Sequence, residues 1–213
     1  MKVLAIGAHA DDVELGCGGT LLAWAAAGHD VNIWVATESA YTAPDGTQVR
    51  SAEGARAEAE AAADQIGAKL EIGPFKSFEL AFAEPLNSVL VPLVARIAPD
   101  IVLTHWDGDT HPDHKALGLS SLHACRHVPT VLTYCSNWYP SAATFDPRVH
   151  VDISETLEGK LDLIRLFESE NARTDGAWCE WIEAQARTFG QRINTRYAEA
   201  FGSTKVKMTL PLP

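Results

Sequence analysis

Short apolar runs alternate with longer helical stretches along most of the chain, and this alternation constrains the fold more than any other feature. Lys2–Ala8, Val31–Thr37, Lys69–Ile72, Ile101–His105, Thr130–Ser136 and Val149–Ile153 read as strands, most of them buried. Between them the sequence predicts helices over Thr20–Ala27, stopped by Gly28, and over Ser51–Ile66, stopped by Gly67. Pro85 opens another that Pro99-Asp100 breaks after Ala98, and one more runs from about His114 to His127. Two C-terminal helices are expected over Ser154–Glu168 and Ala177–Ile193, while Glu38–Gln48 and residues 73–84 read as loops. Strands separated by helices of this length imply βαβ units around a mostly parallel sheet. The expected fold is therefore α/β, a Rossmann-like three-layer sandwich. No linker, repeat or low-complexity segment divides residues 1–213, so a single domain is expected.

Composition removes several classes of function. The formal charge is −11, from 28 acidic and 17 basic residues, and no Lys/Arg run provides the stripe that neutralises nucleic-acid phosphates or an anionic membrane. The N-terminal apolar run is too short for a signal peptide, and no segment approaches the roughly 20 apolar residues that span a bilayer. A cytoplasmic location is expected. Cys17, Cys125, Cys135 and Cys179 form no CxxC pair and read as reduced core or helix residues.

Two polar clusters follow buried strands. His9-Ala10-Asp11-Asp12 comes directly after the first strand, and Asp109-Thr110-His111-Pro112-Asp113-His114 follows the strand that ends at His105. In open α/β sheets ligands bind beyond the carboxyl ends of strands, where both clusters fall. A hydrolytic zinc takes about three His, Asp or Glu ligands and keeps a position open. His9 and Asp12 can aim at one point, with the third ligand from His111 or His114, and Asp11 is left to accept a proton. Taken singly, each piece has a plainer explanation: a surface histidine, an acidic pair at a helix N-terminus, or Asp113 capping a helix that begins at His114. Their joint occurrence after two buried strands favours a metal site. Gly16, Gly18 and Gly19 do not make a dinucleotide fingerprint, because Leu21 stands where the last glycine would be. They are expected to let the first helix pack closely on the sheet.

AHADDVELGCGGTL resembles the AHPDDEELGCGGTL signature of the PIG-L/LmbE-like deacetylases, and DTHPDH is similar to that family's second motif. Likeness extends through Arg56 with the following AEAEAAADQIG, PDIVLTH, VDISETLEGKLDLIRLFESE and RYAEAF. The resemblance implies a zinc-dependent hydrolase that removes N-acetyl, or another N-acyl group, from a small sugar-containing amide. Residue by residue, it implies one zinc, or another divalent ion, on His9, Asp12 and His114. It makes Asp11 the general base, and His111 the group that stabilises the oxyanion or protonates the leaving amine. It assigns a substrate contact to Arg56, with Arg50 as the alternative, and relatives of this kind are often homo-oligomers. Two departures stand out: Ala10 replaces the usual proline, which is expected to loosen the turn, and Val13 replaces the first acidic residue after the Asp pair. AFAEPLN also lacks the Asp-Gly common before its helix. Trp106 and Trp138 are candidates to floor a sugar pocket by stacking. A zinc amidase for a non-sugar amide and a non-catalytic binding protein are the competing readings, and the intact set His9, Asp11, Asp12, His111 and His114 speaks against the second.

Overall fold

The computed structural model describes residues 1–208. The strands β1 (Lys2–Gly7), β2 (Asp30–Thr37), β5 (Lys69–Phe75), β6 (Ile101–His105), β7 (Thr130–Tyr134), β8 (Val149–Asp152) and β9 (Ala198–Lys205) form one sheet in the order β5-β2-β1-β6-β7-β9-β8. A small antiparallel hairpin, β3 (Tyr41–Thr42) and β4 (Gln48–Arg50), stands apart from it. The five strands β5, β2, β1, β6 and β7 are parallel, with Val3 opposite both Val31 and Ile101; β9 is antiparallel to β7 and to β8. This is the predicted three-layer α/β sandwich.

Burial on both faces explains why β1 carries no polar alternation. Val3, Leu4, Ala5 and Ile6 are all fully buried. Val3 and Ala5 face the core made with Val13, Cys17 and Leu21 of α1 (Asp12–Ala26) and Ala59 and Ala62 of α2 (Ala52–Ile66). Leu4 and Ile6 face the opposite core, with Leu86 and Leu90 of α3 (Glu84–Ile97) and Leu117 of α4 (Pro112–Ala124). A third cluster joins Leu157 and Leu161 of α5 (Leu157–Arg165) to Trp178 and Ile182 of α7 (Ala177–Arg192), with the short α6 (Glu168–Thr174) between them. All four cysteines are free thiols. Among the described residues no helix is long and apolar enough to cross a membrane.

Five elements depart from the sequence expectations. α1 begins at Asp12 rather than Thr20, so the glycine cluster lies inside the helix. Glycine is a poor helix former, but packing overrides that preference here. A Cβ on Gly16 would stand 2.2 Å from the Tyr134 ring, and one on Gly19 would stand 3.1 Å from Ile153. The predicted close packing of this helix is therefore present, at helical positions. β9, α6 and the β3–β4 hairpin were not anticipated. β9 mixes small, polar and aromatic residues in AEAFGSTK, and its pairing with β7 and β8 defines it better than its composition does.

Candidate active site

Sheet order places the site. β1 lies between β2 and β6, so the connections out of β1, to α1, and out of β6, to α4, leave on opposite faces and open a crevice at the carboxyl ends of the strands. Residues 9–12 leave the carboxyl end of β1, and residues 106–111 leave that of β6.

The β1–α1 turn is held at every peptide. His9 N–H donates to Asp12 Oδ2 at 2.8 Å, and Ala10 N–H donates to Ser39 Oγ at 2.8 Å. Ala8 O and Ala10 O accept from Thr37 Oγ1 and Arg50 Nη1, each at 2.8 Å. Ala10, expected to loosen this turn, contributes a hydrogen bond to Ser39 that proline, with no N–H, could not make. Asp11 takes φ 131°, a region non-glycine residues rarely occupy and one typical of strained active-site turns.

Three histidines converge on Asp12. His9 Nδ1 lies 3.3 Å from Asp12 Oδ2, and His114 Nε2 lies 3.2 Å from Asp12 Oδ1. A tetrahedral zinc with bonds of about 2.0–2.1 Å separates its ligand atoms by about 3.4 Å, and each of these contacts has about that length, the two reaching different oxygens of Asp12. Burial alone would lower His9, but hydrogen bonds with Asp113 and Asp12 lift it to about 9. Burial likewise opposes His114, which the Asp12 charge and the Asp109 hydrogen bond lift to about 10. Burial would raise Asp12, yet His114 and His105 hold its carboxyl well below the usual range. Nitrogens that attract protons this strongly in a buried anionic nest would also attract a cation.

Further carboxylates orient these rings. Asp113 is fully buried and accepts from His9 Nε2 at 2.9 Å and from the backbone N–H groups of Phe78 and Leu80. Asp109 pairs with His114 Nδ1 at 3.1 Å and accepts from Asn137. Carboxylate–imidazole pairs of this kind fix tautomer and ring direction in metal sites. Asp113 does not cap α4: the helix starts at Pro112, and His111 is its cap, its Nδ1 accepting Asp113 N–H at 3.2 Å. That bond leaves the His111 proton on Nε2. Burial, with His114 and His9 nearby, pulls His111 down to about 4, so its ring is neutral.

Ligand atoms of His9, His111 and His114 lie within 4.8 Å of one another, as do those of Asp12, His105 and His114. His105 Nε2 already accepts Ala8 N–H at 3.1 Å, and its fully buried ring stacks on His114 at 4.1 Å. His105 therefore packs behind the cluster.

Asp11 and Arg50 form the other half of the floor. Arg50 Nη1 donates to Asp11 Oδ2 at 2.8 Å, and Arg50 Nη2 donates to Glu58 at 2.7 Å. Burial raises the Asp11 carboxyl, against the pull of Arg50 and with added repulsion from Asp12, to about 8. Arg56 is a correction to the sequence reading. Its side chain is 56% exposed on the outer face of α2, 3.5 Å from Glu60, and it does not line the cavity. Arg50 does, because β4 turns it inward before the Ser51 cap begins α2.

These residues floor a cavity of about 290 Å³. Its walls include Tyr41, Phe78, Trp138, Tyr139 and Trp178, with Glu170 and Arg173 of α6. Trp138 is thus at the site, whereas Trp106 packs on Phe145 and does not line the cavity. Sequence reasoning missed Asp109, Asp113, His105, Ser136 and Asn137 as partners of the cluster. A histidine ending an apolar strand (His105) and two acids inside a histidine motif (Asp109, Asp113) were the available signals.

Residues 4–125, more than half of the chain, match the family described as PIG-L, GlcNAc-PI de-N-acetylase. A diacetylchitobiose deacetylase of Thermococcus kodakarensis is 29% identical over 93% of this chain and 81% of its own length. An Escherichia coli protein described as an uncharacterized deacetylase is 32% identical over 72% of this chain and 82% of its own. Among solved structures, the N,N'-diacetylchitobiose deacetylase of Pyrococcus horikoshii has a TM-score of 0.82 at 23% identity, covering 95% of this chain and 83% of that one. At that identity the superposition speaks for the fold, and the sequence matches speak for descent. This chain belongs to the PIG-L family.

Proposed function

We propose that the protein is a zinc-dependent N-deacetylase that hydrolyses the acetamide of a small sugar-containing substrate. The observation that carries this reading is the floor of the cavity, where His9 Nδ1 and His114 Nε2 each lie within 3.3 Å of an Asp12 oxygen and Asp11 stands beside them. His9, Asp12 and His114 would hold the ion. When bound, a divalent cation supplies Lewis acidity toward the amide carbonyl and favours the ionisation of water.

Asp11 takes a proton from the attacking water as its oxygen bonds to the carbonyl carbon, and Arg50 keeps the carboxylate aimed through Oδ2. His111 offers Nε2–H to the carbonyl oxygen as charge develops there, where one donor is worth about 3–4 kcal/mol. The C–N bond breaks as Asp11 passes its proton to the nitrogen, which gives acetate and a free amine. The diacetylchitobiose deacetylase among its relatives supports this reading over a non-sugar amide.

Acetate release from N-acetylglucosaminyl conjugates by zinc-loaded protein is the direct test. Asp11→Ala should retain about one equivalent of zinc and lose nearly all turnover. Protein that holds zinc but frees no acetate from any such conjugate would end this reading.

A further inference from the structure

Phe78 sits where a core residue would not be placed. It lies in the segment between β5 and α3, is 60% exposed, and takes φ 66°, a conformation costly for an aromatic residue. The buried carboxylate of Asp113 holds it there by accepting Phe78 N–H at 2.6 Å, while the same carboxylate binds His9. The ring stacks on His111 with centroids 5.4 Å apart and planes at 29°, and it meets Tyr41 edge-on at 6.3 Å. The rest of its surface is open at the cavity mouth. Two more exposed rings line the same cavity, Trp138 at 42% and Tyr139 at 48%.

Several polar groups at this rim are engaged with one another. Arg173 Nε and Nη2 both donate to Glu170 Oε2, Tyr41 O–H donates to Glu170 Oε1, and Asn137 donates to Asp109. The mouth therefore presents three exposed aromatic faces. A flat apolar group can stack on these faces.

We infer that Phe78 is a specificity-determining residue, and that the substrate carries a planar apolar aglycone which stacks at the mouth against it. This rests on the deacetylase reading. The acetamide is small and belongs on the buried floor, so the group that meets an exposed ring at the mouth is on the amine side of the scissile bond.

The test compares kcat/KM for 4-nitrophenyl and methyl N-acetyl-β-glucosaminides and for N,N'-diacetylchitobiose, in the wild type, Phe78→Gly and Phe78→Leu. Glycine accepts the positive φ, so the ring is removed without forcing the loop to move. Wild-type enzyme should favour the aryl glycoside over both others, and Phe78→Gly should cut the aryl-to-methyl ratio by about 3- to 10-fold, with a smaller effect in Phe78→Leu. No aryl preference, or a ratio that Phe78→Gly leaves unchanged, overturns the inference. So does a variant that alters discrimination between N-acetyl and N-butyryl substrates while leaving the aglycone ratio intact, because the ring would then face the acyl group. Calorimetric binding of the three glycosides to zinc-loaded protein provides a second readout. If no substrate releases acetate, the deacetylase reading fails, yet an aryl binding preference lost in Phe78→Gly still supports the subsite, and its absence still refutes it.

Discussion

Two glycines two positions apart in α1 should respond to alanine with opposite signs. A Cβ at Gly16 would lie 2.2, 2.6 and 2.7 Å from three atoms of the Tyr134 ring. Ordinary carbon contacts begin near 3.5 Å, so helix and ring would have to part by roughly 1 Å or more. Tyr134 cannot yield cheaply. It is 1% exposed, and its hydroxyl donates to Ile6 O at 2.7 Å. Overpacking costs about 1–3 kcal/mol, and a buried hydrogen bond left unmade costs about 1–3 kcal/mol more. The helix gains about 1 kcal/mol from replacing glycine by alanine. Gly16→Ala should therefore destabilise by about 1–5 kcal/mol. At Gly18 the same Cβ would meet Leu163 at 3.4 Å, an ordinary contact, so Gly18→Ala should be neutral or stabilise by up to about 1 kcal/mol. Urea denaturation followed by circular dichroism reads both midpoints. Because Asp12 opens the same helix, chelator competition should also show weaker zinc binding in Gly16→Ala alone. A Gly16→Ala protein as stable as the wild type would refute the claim that Gly16 exists for close contact with Tyr134.

Asp113→Asn keeps the shape but removes the charge that orients His9, and zinc affinity measured by chelator competition should fall by about 10–100-fold. Arg50→Met strips Asp11 and Glu58 of their buried partner, so it should cost about 3–5 kcal/mol in denaturant and abolish most turnover. Arg56→Met, on the solvent face, should change stability by less than about 0.5 kcal/mol and leave acetate release unchanged. Lys160→Met leaves Glu199 buried without its cation, even though Glu199 also accepts from the N–H groups of Gly19 and Thr20. It too should lower stability by about 3–5 kcal/mol, and the lower urea midpoint would show it.

What could be read from sequence was whatever depends on near neighbours. The apolar runs that became β1, β2 and β6 are fully or mostly buried, and burial leaves the same mark on any parallel strand. The helix stop at Gly67 is local too: that residue takes φ 77°, the left-handed cap glycine accepts freely. The start of α1 was hidden because glycine argues against helix, and only the Tyr134 ring, contributed from more than a hundred residues away, explains its presence. Arg50 and Arg56 are both plausible by spacing, and a two-strand hairpin decides which of them points inward.

The site follows from the same distinction. Both polar clusters were visible, but a cluster of histidines and acids has no chemistry until something fixes their mutual distance. Here that is the register of β1 beside β6, which pairs Val3 with Ile101 and Ala5 with Leu103. The pairing brings His9 and Asp12 to within hydrogen-bonding reach of Asp113 and His114, about a hundred positions later in the chain. Asp113 then binds His9 and the backbone at Phe78 with one carboxylate, so the floor of the cavity and its aromatic mouth are positioned by the same group. A change that frees Asp113 should disturb metal affinity and aglycone preference together, whereas a change at Phe78 should disturb only the second.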